Sequence, residues 1–515
     1  MTETILEMRG VRKTFGPVVA LDDVNLQLNS REIHGFLGGN GAGKTTLMNV
    51  LYGLYKPDAG DIYLRGRKVE IQSPRDAIQL GIGMVHQHFL QINNFTVAEN
   101  IVLGTKLKNR PTLKLGQEVE RLAELSQRFG LEVNPHARIE EISMGVRQRV
   151  EILKALYRGV KVLILDEPTT NLTPQEVDAL FQSLRVMVDA GMSVVFITHK
   201  LREVLSVSDR ISVLRNGKNA ITVNRADASE EMLVKEMVGA GLDVNQSLLF
   251  SKTGLGNQTL QVGPKPVVQV EGLHVVDANG ATLVKNCTFD IQEQEILGVA
   301  GVAGNGQQAL AESMLGIRPA AGGRICINDT DITTLKTSDL LALGVSYIPQ
   351  DRLSDGFLPK ANVAQNLLLG YHHQQPYSKG GFLNWPAIFN ASRRQIAEYD
   401  IKTTGPTEVA ANLSGGNIQR VMLARAFSRS VGFMVAHNPT RGLDISSMEF
   451  VYSKLLEQKK QGLATLLISE DLDELMLLCN RIAVMYRGEF MGILDRSQFD
   501  KYQLGRLMSG VKSDE

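Results

Sequence analysis

Long apolar runs are missing from this chain: no stretch reaches the roughly eighteen consecutive apolar residues that a membrane-crossing helix needs. Cysteine is scarce. Cys287, Cys326 and Cys479 are too few for a disulfide framework or a metal quartet, and their apolar neighbours predict plain core packing. Net charge is missing too, because 55 Lys+Arg balance 55 Asp+Glu, so no global field draws the chain to nucleic acid or anionic lipid. The opening MTETILEMRG carries acids and no apolar stretch, which argues against a secretory signal and for the reducing cytoplasm. What is present is an ordinary globular composition, 43% hydrophobic and 21% charged, over 515 residues, too many for one core.

The chain repeats itself. EIHGFLGGNGAGKTT (32–46) matches EILGVAGVAGNGQQA (295–309), and GIGMVHQ (81–87) matches GVSYIPQ (344–350). Further on, ISMGVRQRVEILKAL (142–156) matches LSGGNIQRVMLARAF (413–427), and VLILDEPTTNL (162–172) matches FMVAHNPTRGL (433–443). Lys44 precedes Gln307 by 263 positions, as Gln87 precedes Gln350; Ser143 to Ser414, Asp166 to His437 and His199 to Glu470 all span 271. One eight-residue insertion within 370–385 accounts for the change of interval. The pattern predicts two α/β domains, 1–240 and 267–515, joined by a Gly-, Ser-, Asn- and Pro-containing linker at 241–266.

In the first copy a short apolar run leads into GGNGAGKTT and then into a helix-like stretch. Gly38, Gly43, Lys44 and Thr45 satisfy G-x-x-x-x-G-K-[ST], and the loop comprises Gly38, Gly39, Asn40, Gly41, Ala42, Gly43, Lys44, Thr45 and Thr46. Glycines let backbone N–H groups wrap phosphate oxygens at a helix N-terminus. Lys44 is expected to reach the β- and γ-phosphates, and Thr45 to ligate Mg²⁺. Val162–Leu165 is a buried-strand pattern ending in Asp166 and Glu167, where ligands of a doubly wound sheet sit. Asp166 is expected to orient Mg²⁺ and Glu167 to act as general base on the attacking water. Two further apolar runs end at His199, expected on the γ-phosphate, and at Gln87, expected to touch both Mg²⁺ and that water. His86 and His88 flank Gln87 without a third ligand, so a zinc site is not expected.

With LSGGN-IQR (Leu413 to Arg420) beside these motifs, the chain resembles the ATP-binding-cassette superfamily over essentially its whole length. The resemblance implies two tandem P-loop ATPase cassettes, each with a RecA-like α/β core, a β subdomain and a helical subdomain. It implies ATP and Mg²⁺ as cofactors, with Phe15 stacking on adenine. It also implies head-to-tail pairing of the cassettes within the chain, so that Ser414, Gly415 and Gly416 face the first P-loop and Ser143-Met144-Gly145 the second. HQHF (86–89), SMGVRQRVEILKAL (143–156) and GVAGNGQ (301–307) resemble the fused ATPases of bacterial nucleoside and simple-sugar importers. Two integral-membrane permease subunits are then the expected partners, with an extracytoplasmic binding protein acting indirectly and no nucleic acid. The expected location is the cytoplasmic face of the membrane, with His88, Phe89 and Leu90 available for apolar permease contact. Two departures from the family pattern stand out: Gly39, where an acid is usual, and Asn171, after Glu167. The rival reading is a soluble tandem ATPase acting on ribosomes or DNA, which usually keeps two intact sites and a long basic linker.

The second copy departs repeatedly. Gln307 and Gln308 replace Lys44 and Thr45, His437 and Asn438 replace Asp166 and Glu167, and Glu470 replaces His199. Phe15 falls on Ala278 at the 263 interval. This half is therefore expected not to hydrolyse ATP.

Overall fold

The computed structural model describes residues 3–87, 89–105, 115–238 and 261–511, which divide into two units, Met1–Val244 and Asn245–Glu515. Residues 241–260 of the expected linker lie outside the described residues, and Pro266 at its far end already opens a strand. No described helix is long and apolar enough to cross a membrane. All three cysteines are buried.

The first unit contains β1 (Thr4–Phe15), β2 (Val18–Asn29), β3 (Ile33–Leu37), β4 (Ala59–Leu64), β5 (Arg67–Val69), β6 (Ile82–Val85), β7 (Val162–Asp166), β8 (Ser193–Thr198), β9 (Arg210–Arg215) and β10 (Lys218–Asn224). Every residue of β3, β6, β7 and β8 is buried, which is why these strands read as unbroken apolar runs. They form four consecutive strands of a six-stranded sheet, β10-β9-β3-β8-β7-β6, parallel except at β10. A separate antiparallel sheet, β2-β1-β4-β5, covers the helix Lys44–Leu51 with alternating apolar residues such as Leu6, Met8 and Leu28. Helices Val97–Val102, Leu115–Phe129 and Met144–Tyr157 pack against one another as a third layer. Capping boxes at Thr96 and Thr173 and an N-cap at Ser143 start the helices where the backbone would otherwise leave N–H groups unpaired.

The second unit repeats this plan. Its strands are β11 (Pro266–Val276), β12 (Thr282–Gln292), β13 (Ile296–Ala300), β14 (Gly322–Ile327), β15 (Thr330–Asp331), β16 (Val345–Ile348), β17 (Ser378–Lys379), β18 (Phe382–Leu383), β19 (Phe433–His437), β20 (Ala464–Ser469), β21 (Arg481–Tyr486) and β22 (Glu489–Asp495). The sheet order β16-β19-β20-β13-β21-β22 is that of β6-β7-β8-β3-β9-β10.

Equivalent hydrogen bonds correct the expectation of a single insertion. Asn100 Oδ1 accepts from Ile92 N as Asn366 Oδ1 accepts from Leu358 N, so three extra residues already lie between Gln350 and Leu358, where the helix Arg352–Asp355 forms. Leu131 N donates to Ser126 O as Ile401 N donates to Ile396 O, which leaves four extra residues for the stretch holding the β17–β18 hairpin. Ala98 N donates to Pro135 O as Ala364 N donates to Pro406 O, which places the last one after Ile401. The register of β1 and β11 also moves the counterpart of Phe15 from Ala278 to Asp277, because Thr14 pairs with Val19 where Val276 pairs with Thr282.

Candidate functional site

Four parallel strands of the first unit deliver their C-terminal ends to one edge: β3 into the glycine loop, β6 toward Gln87, β7 at Asp166 and β8 before His199. The loop requires glycine at two points. Gly43, the N-cap of Lys44–Leu51, has φ 102°, and a Cβ there would lie 2.7 Å from the Ala20 carbonyl oxygen. At Gly38 a Cβ would lie 2.5 Å from Leu214 O. Ala42 O accepts from Gly217 N, tying the loop to the turn after β9. Asn40 and Gly41 are exposed, Gly39 and Thr46 half-buried. Lys44 is buried, and its Nζ donates to Gly38 O (2.7 Å) and Gly39 O (2.9 Å), bridging the loop. Burial pushes its pKa down against the pull of Glu167 and Asp166.

The carboxylates differ in environment. Burial lifts Asp166 to about 6, with the Thr45 hydroxyl hydrogen-bonded to it pulling the other way. Glu167 sits in the left-handed region at φ 47°, its N–H donating to Ile197 O at 3.0 Å. Gln87 Nε2 donates to its Oε2 at 2.9 Å, and its Oε1 lies 2.8 Å from His199 Nδ1. Burial pushes the Glu167 pKa up, but His199 through its hydrogen bond and charge, together with Lys44 and Lys200, brings it below the ordinary value. Lys44, Thr45, Gln87, Asp166, Glu167 and His199 therefore converge on one edge. Phe15 stands at the end of β1, 43% exposed.

Sequence reasoning missed Glu203. Its Oε2 accepts from Thr169 Oγ1 (2.7 Å) and Thr198 Oγ1 (3.1 Å), clamping the loops after β7 and β8 on either side of Glu167 and His199. Glu474, at the 271 interval, accepts from Thr440 and Ser469 in the same way. Its retention where neighbouring acids change was the available signal.

The second unit keeps the loop and replaces its chemistry. Gly306 has φ 106°, but Gln307 stands where Lys44 does, its Oε1 accepting from Asn305 N (3.0 Å) and its Nε2 donating to Val302 O (3.0 Å). The side-chain amide thus engages the phosphate-type loop itself. Gln308 Nε2 donates to Glu312 (2.9 Å), which also takes Arg318 Nε (2.7 Å). His437 is buried with no partner for Nδ1 among the described residues, and burial with the nearby Arg441 charge drops its pKa to about 4. Asn438 Oδ1 accepts from Glu470 N at 3.0 Å. A cavity of about 260 Å³ remains, lined by Gln308, Arg318, Gln350, His437, Asn438 and Glu470 among others.

Ser414, Gly415 and Gly416 lie in the second unit, at the start of the helix Gly415–Ala426, with Asn417 Nδ2 donating to Ser414 Oγ (2.9 Å). A Cβ on Gly415 meets open space, whereas one on Gly416 would lie 2.5 Å from Ser447 Oγ. In the first unit Met144 occupies the position of Gly415, and a Cβ on Gly145 would lie 2.0 Å from Glu176 Oε1. His86 packs edge-on to Tyr52, Leu90 is 66% exposed, and His88 lies outside the described residues.

Two copies of one phosphate-loop sheet, with a serine at the N-cap of an equivalent helix in each, find their match in one family. The ABC transporter family matches residues 21–170 and 284–441. The chain belongs to the ABC transporter family. It is 40% identical over 514 residues to the nucleoside import ATP-binding protein NupA of Lactococcus lactis subsp. cremoris, covering 100% of this chain and 99% of that protein. It is 40% identical over 516 residues to the guanosine import ATP-binding protein NupO of Bacillus subtilis, at the same coverage. To the glucose import ATP-binding protein TsgD13 of Haloferax volcanii it is 38% identical over 538 residues, covering 99% of this chain and 96% of that one. The chain is accordingly an ATP-binding ABC ATPase coupled to solute transport, built from two tandem P-loop cassettes.

Proposed function

We propose that this chain is the energy-coupling ATPase of an importer for nucleosides, with simple sugars the second substrate class. It works at the cytoplasmic face of the membrane with two permease subunits and, indirectly, an extracytoplasmic binding protein. The observation carrying this reading is the asymmetry of the two cassettes. Lys44, Thr45, Asp166, Glu167, Gln87 and His199 are gathered in the first, while Gly415 stands open at its helix start in the second. Intact loop against intact serine-glycine turn, head to tail within the chain, makes one working site. The relatives named for nucleoside and guanosine import support the substrate class.

Lys44 exchanges the Gly38 and Gly39 carbonyls for β- and γ-phosphate oxygens, and the loop N–H groups complete the cradle. A buried carboxylate raised to about 6 beside a hydroxyl is a donor set that fits a hard divalent cation. Thr45, Asp166 and Gln87 would hold Mg²⁺, which supplies charge neutralisation between the phosphates. Glu167, ionised at neutral pH, takes the proton of the attacking water. Gln87 and His199, already bonded to its two oxygens, hold its carboxylate in line, and His199 is free to contact the γ-phosphate as that bond opens. Ser414 and the backbone of Gly415 and Gly416 close on the same phosphate. The second P-loop lacks the counterparts of the Lys44 ammonium, the Thr45 hydroxyl, the Asp166 carboxylate and the Glu167 base, and does not turn over.

Reconstitution of the chain with its permease pair and binding protein in proteoliposomes tests the reading. ATP-driven uptake of a nucleoside is expected. Uptake of a monosaccharide alone would move the substrate class, and ATPase activity stimulated by ribosomes or DNA instead would overturn the transport role.

A further inference from the structure

Two aromatic rings meet in the first unit and are left half uncovered. Phe15, at the end of β1, is 43% exposed, and Tyr55, beyond the helix Lys44–Leu51, is 38% exposed. Their centroids are 5.2 Å apart with planes at 75°. Single exposed apolar residues need no explanation. A touching pair does, because each ring still has area to offer a flat partner. Lys13 flanks the pair, its Nζ 5.5 Å from the Phe15 centroid and held at 3.0 Å by Asp58.

The second unit shows which way the Tyr55 position faces. Tyr55 N donates to Asn49 O (3.1 Å) just as Arg318 N donates to Glu312 O (3.2 Å), so the two residues occupy equivalent places. Arg318 lines the cavity formed around the second P-loop. There both rings are gone together. Asp277 replaces Phe15 and turns inward to accept from Asn279 N and Ala281 N, while Arg318 replaces Tyr55 and pairs with Glu312. Rings kept together in one cassette and lost together in the other behave as parts of one subsite.

We propose that Tyr55 is a second aromatic wall of the base-binding subsite, holding the purine ring of ATP against Phe15. This rests on the reading of Phe15 as the adenine-stacking residue. A base seated flat on Phe15 meets the Tyr55 ring at its edge, since the two ring planes stand at 75°.

Equilibrium titration of the full chain with MgATP and, separately, with inorganic tripolyphosphate separates base contacts from phosphate contacts. Tyr55→Ala should weaken ATP by about tenfold, the scale of one base–aromatic contact, and leave tripolyphosphate affinity unchanged. Tyr55→Phe, which keeps the ring, should stay within about twofold of wild type by the same stacking argument. Unchanged ATP affinity in Tyr55→Ala beside a weakened Phe15→Ala would overturn the role of Tyr55 and leave Phe15 standing. Equal weakening of tripolyphosphate would overturn it too, by making Tyr55 a support of the loop. Unchanged ATP affinity in Phe15→Ala would remove the base subsite itself and the inference with it.

Discussion

After β7 and after β19 the chain makes the same turn with different side chains. Glu167 and Asn438 both take left-handed φ, 47° and 45°, and each N–H donates across the sheet, to Ile197 O and Ile468 O. In the first unit the carboxylate is at the turn and its partner His199 follows β8; in the second the amide is at the turn and the carboxylate, Glu470, follows β20. The hydrogen-bonded contact between the two loops survives, the side-chain oxygen of the turn residue accepting in both, from His199 Nδ1 in the first unit and from the Glu470 backbone N–H in the second. Gln307 likewise keeps the bridging role of Lys44 by bonding to Val302 O, the counterpart of Gly39 O. At these positions the second cassette has lost the lysine and the turn carboxylate while keeping loop geometry.

The sharpest way to break this comparison is to remove the base in each unit. Glu167→Gln is expected to lower steady-state ATP hydrolysis by about 10²–10⁴-fold, the usual cost of a positioned general base, with nucleotide binding intact. Asn438→Ala should leave the rate unchanged. Comparable losses from both changes would mean that the second unit carries chemistry of its own.

The serine-glycine turns come next. Gly415→Asp puts a carboxylate into open space at a helix start; under the proposed pairing, like charge against a γ-phosphate at close range would cost a few kcal/mol, so a loss of about 100-fold or more is expected. The matched control is Met144→Asp at the same position of the first unit, which the proposed pairing would set against the loop with no lysine. Gly145→Asp would be a poor control, because its side chain would run into the Glu176 carboxylate. Equal losses from Gly415→Asp and Met144→Asp would sink the pairing of intact with intact.

Much of this was legible in the sequence for a physical reason. A parallel strand buried on both faces must be apolar throughout, and a loop that wraps phosphate must be glycine-rich, so β3, β7, β8 and residues 38–46 announce themselves. The identity of the replaced groups was legible because the copies align without gaps around each motif. The distribution of the extra residues was not, since surface connections carry no periodicity and only matched bonds such as Ile92 to Asn100 and Leu358 to Asn366 locate them. Nor was the clamp at Glu203, a carboxylate whose neighbours in the chain say nothing of Thr169 across the sheet.

Acidification should move the two units in opposite directions. Asp166 is raised from 3.8 to about 6 by burial, so the folded first unit binds its proton more tightly than the unfolded chain and gains stability as pH falls from about 6 toward 4. His437 is lowered from 6.5 to about 4, so the folded second unit resists protonation and loses stability as pH falls through the same range. Shifts of this size are worth about 3 kcal/mol each at most. Without nucleotide or divalent cation, Asp166→Asn should raise the melting temperature at pH 7.5 and confer little at pH 4. His437→Asn should do the reverse, protecting most at low pH. Parallel pH profiles for the two variants would contradict the environments assigned to these residues.

The smallest effect expected is from restoring one lysine to the second unit. Gln307→Lys returns a phosphate cation and removes the amide that bonds to Asn305 N and Val302 O. Some gain in nucleotide affinity follows from both changes. Turnover does not, because Gln308 is committed to Glu312, His437 offers a buried imidazole where a metal-holding carboxylate is needed, and Asn438 is no base. Glu470 adds negative charge beside the place a γ-phosphate would take, and groups that act as a unit do not contribute additively. The measurement belongs in a Glu167→Gln background, where the first site is silent and any hydrolysis comes from the second. Tighter nucleotide binding with hydrolysis at background is the expected result for the double variant. Turnover clearly above that of Glu167→Gln alone would show that charge at position 307 was the only element the second cassette lacked, and would make its other four replacements bystanders.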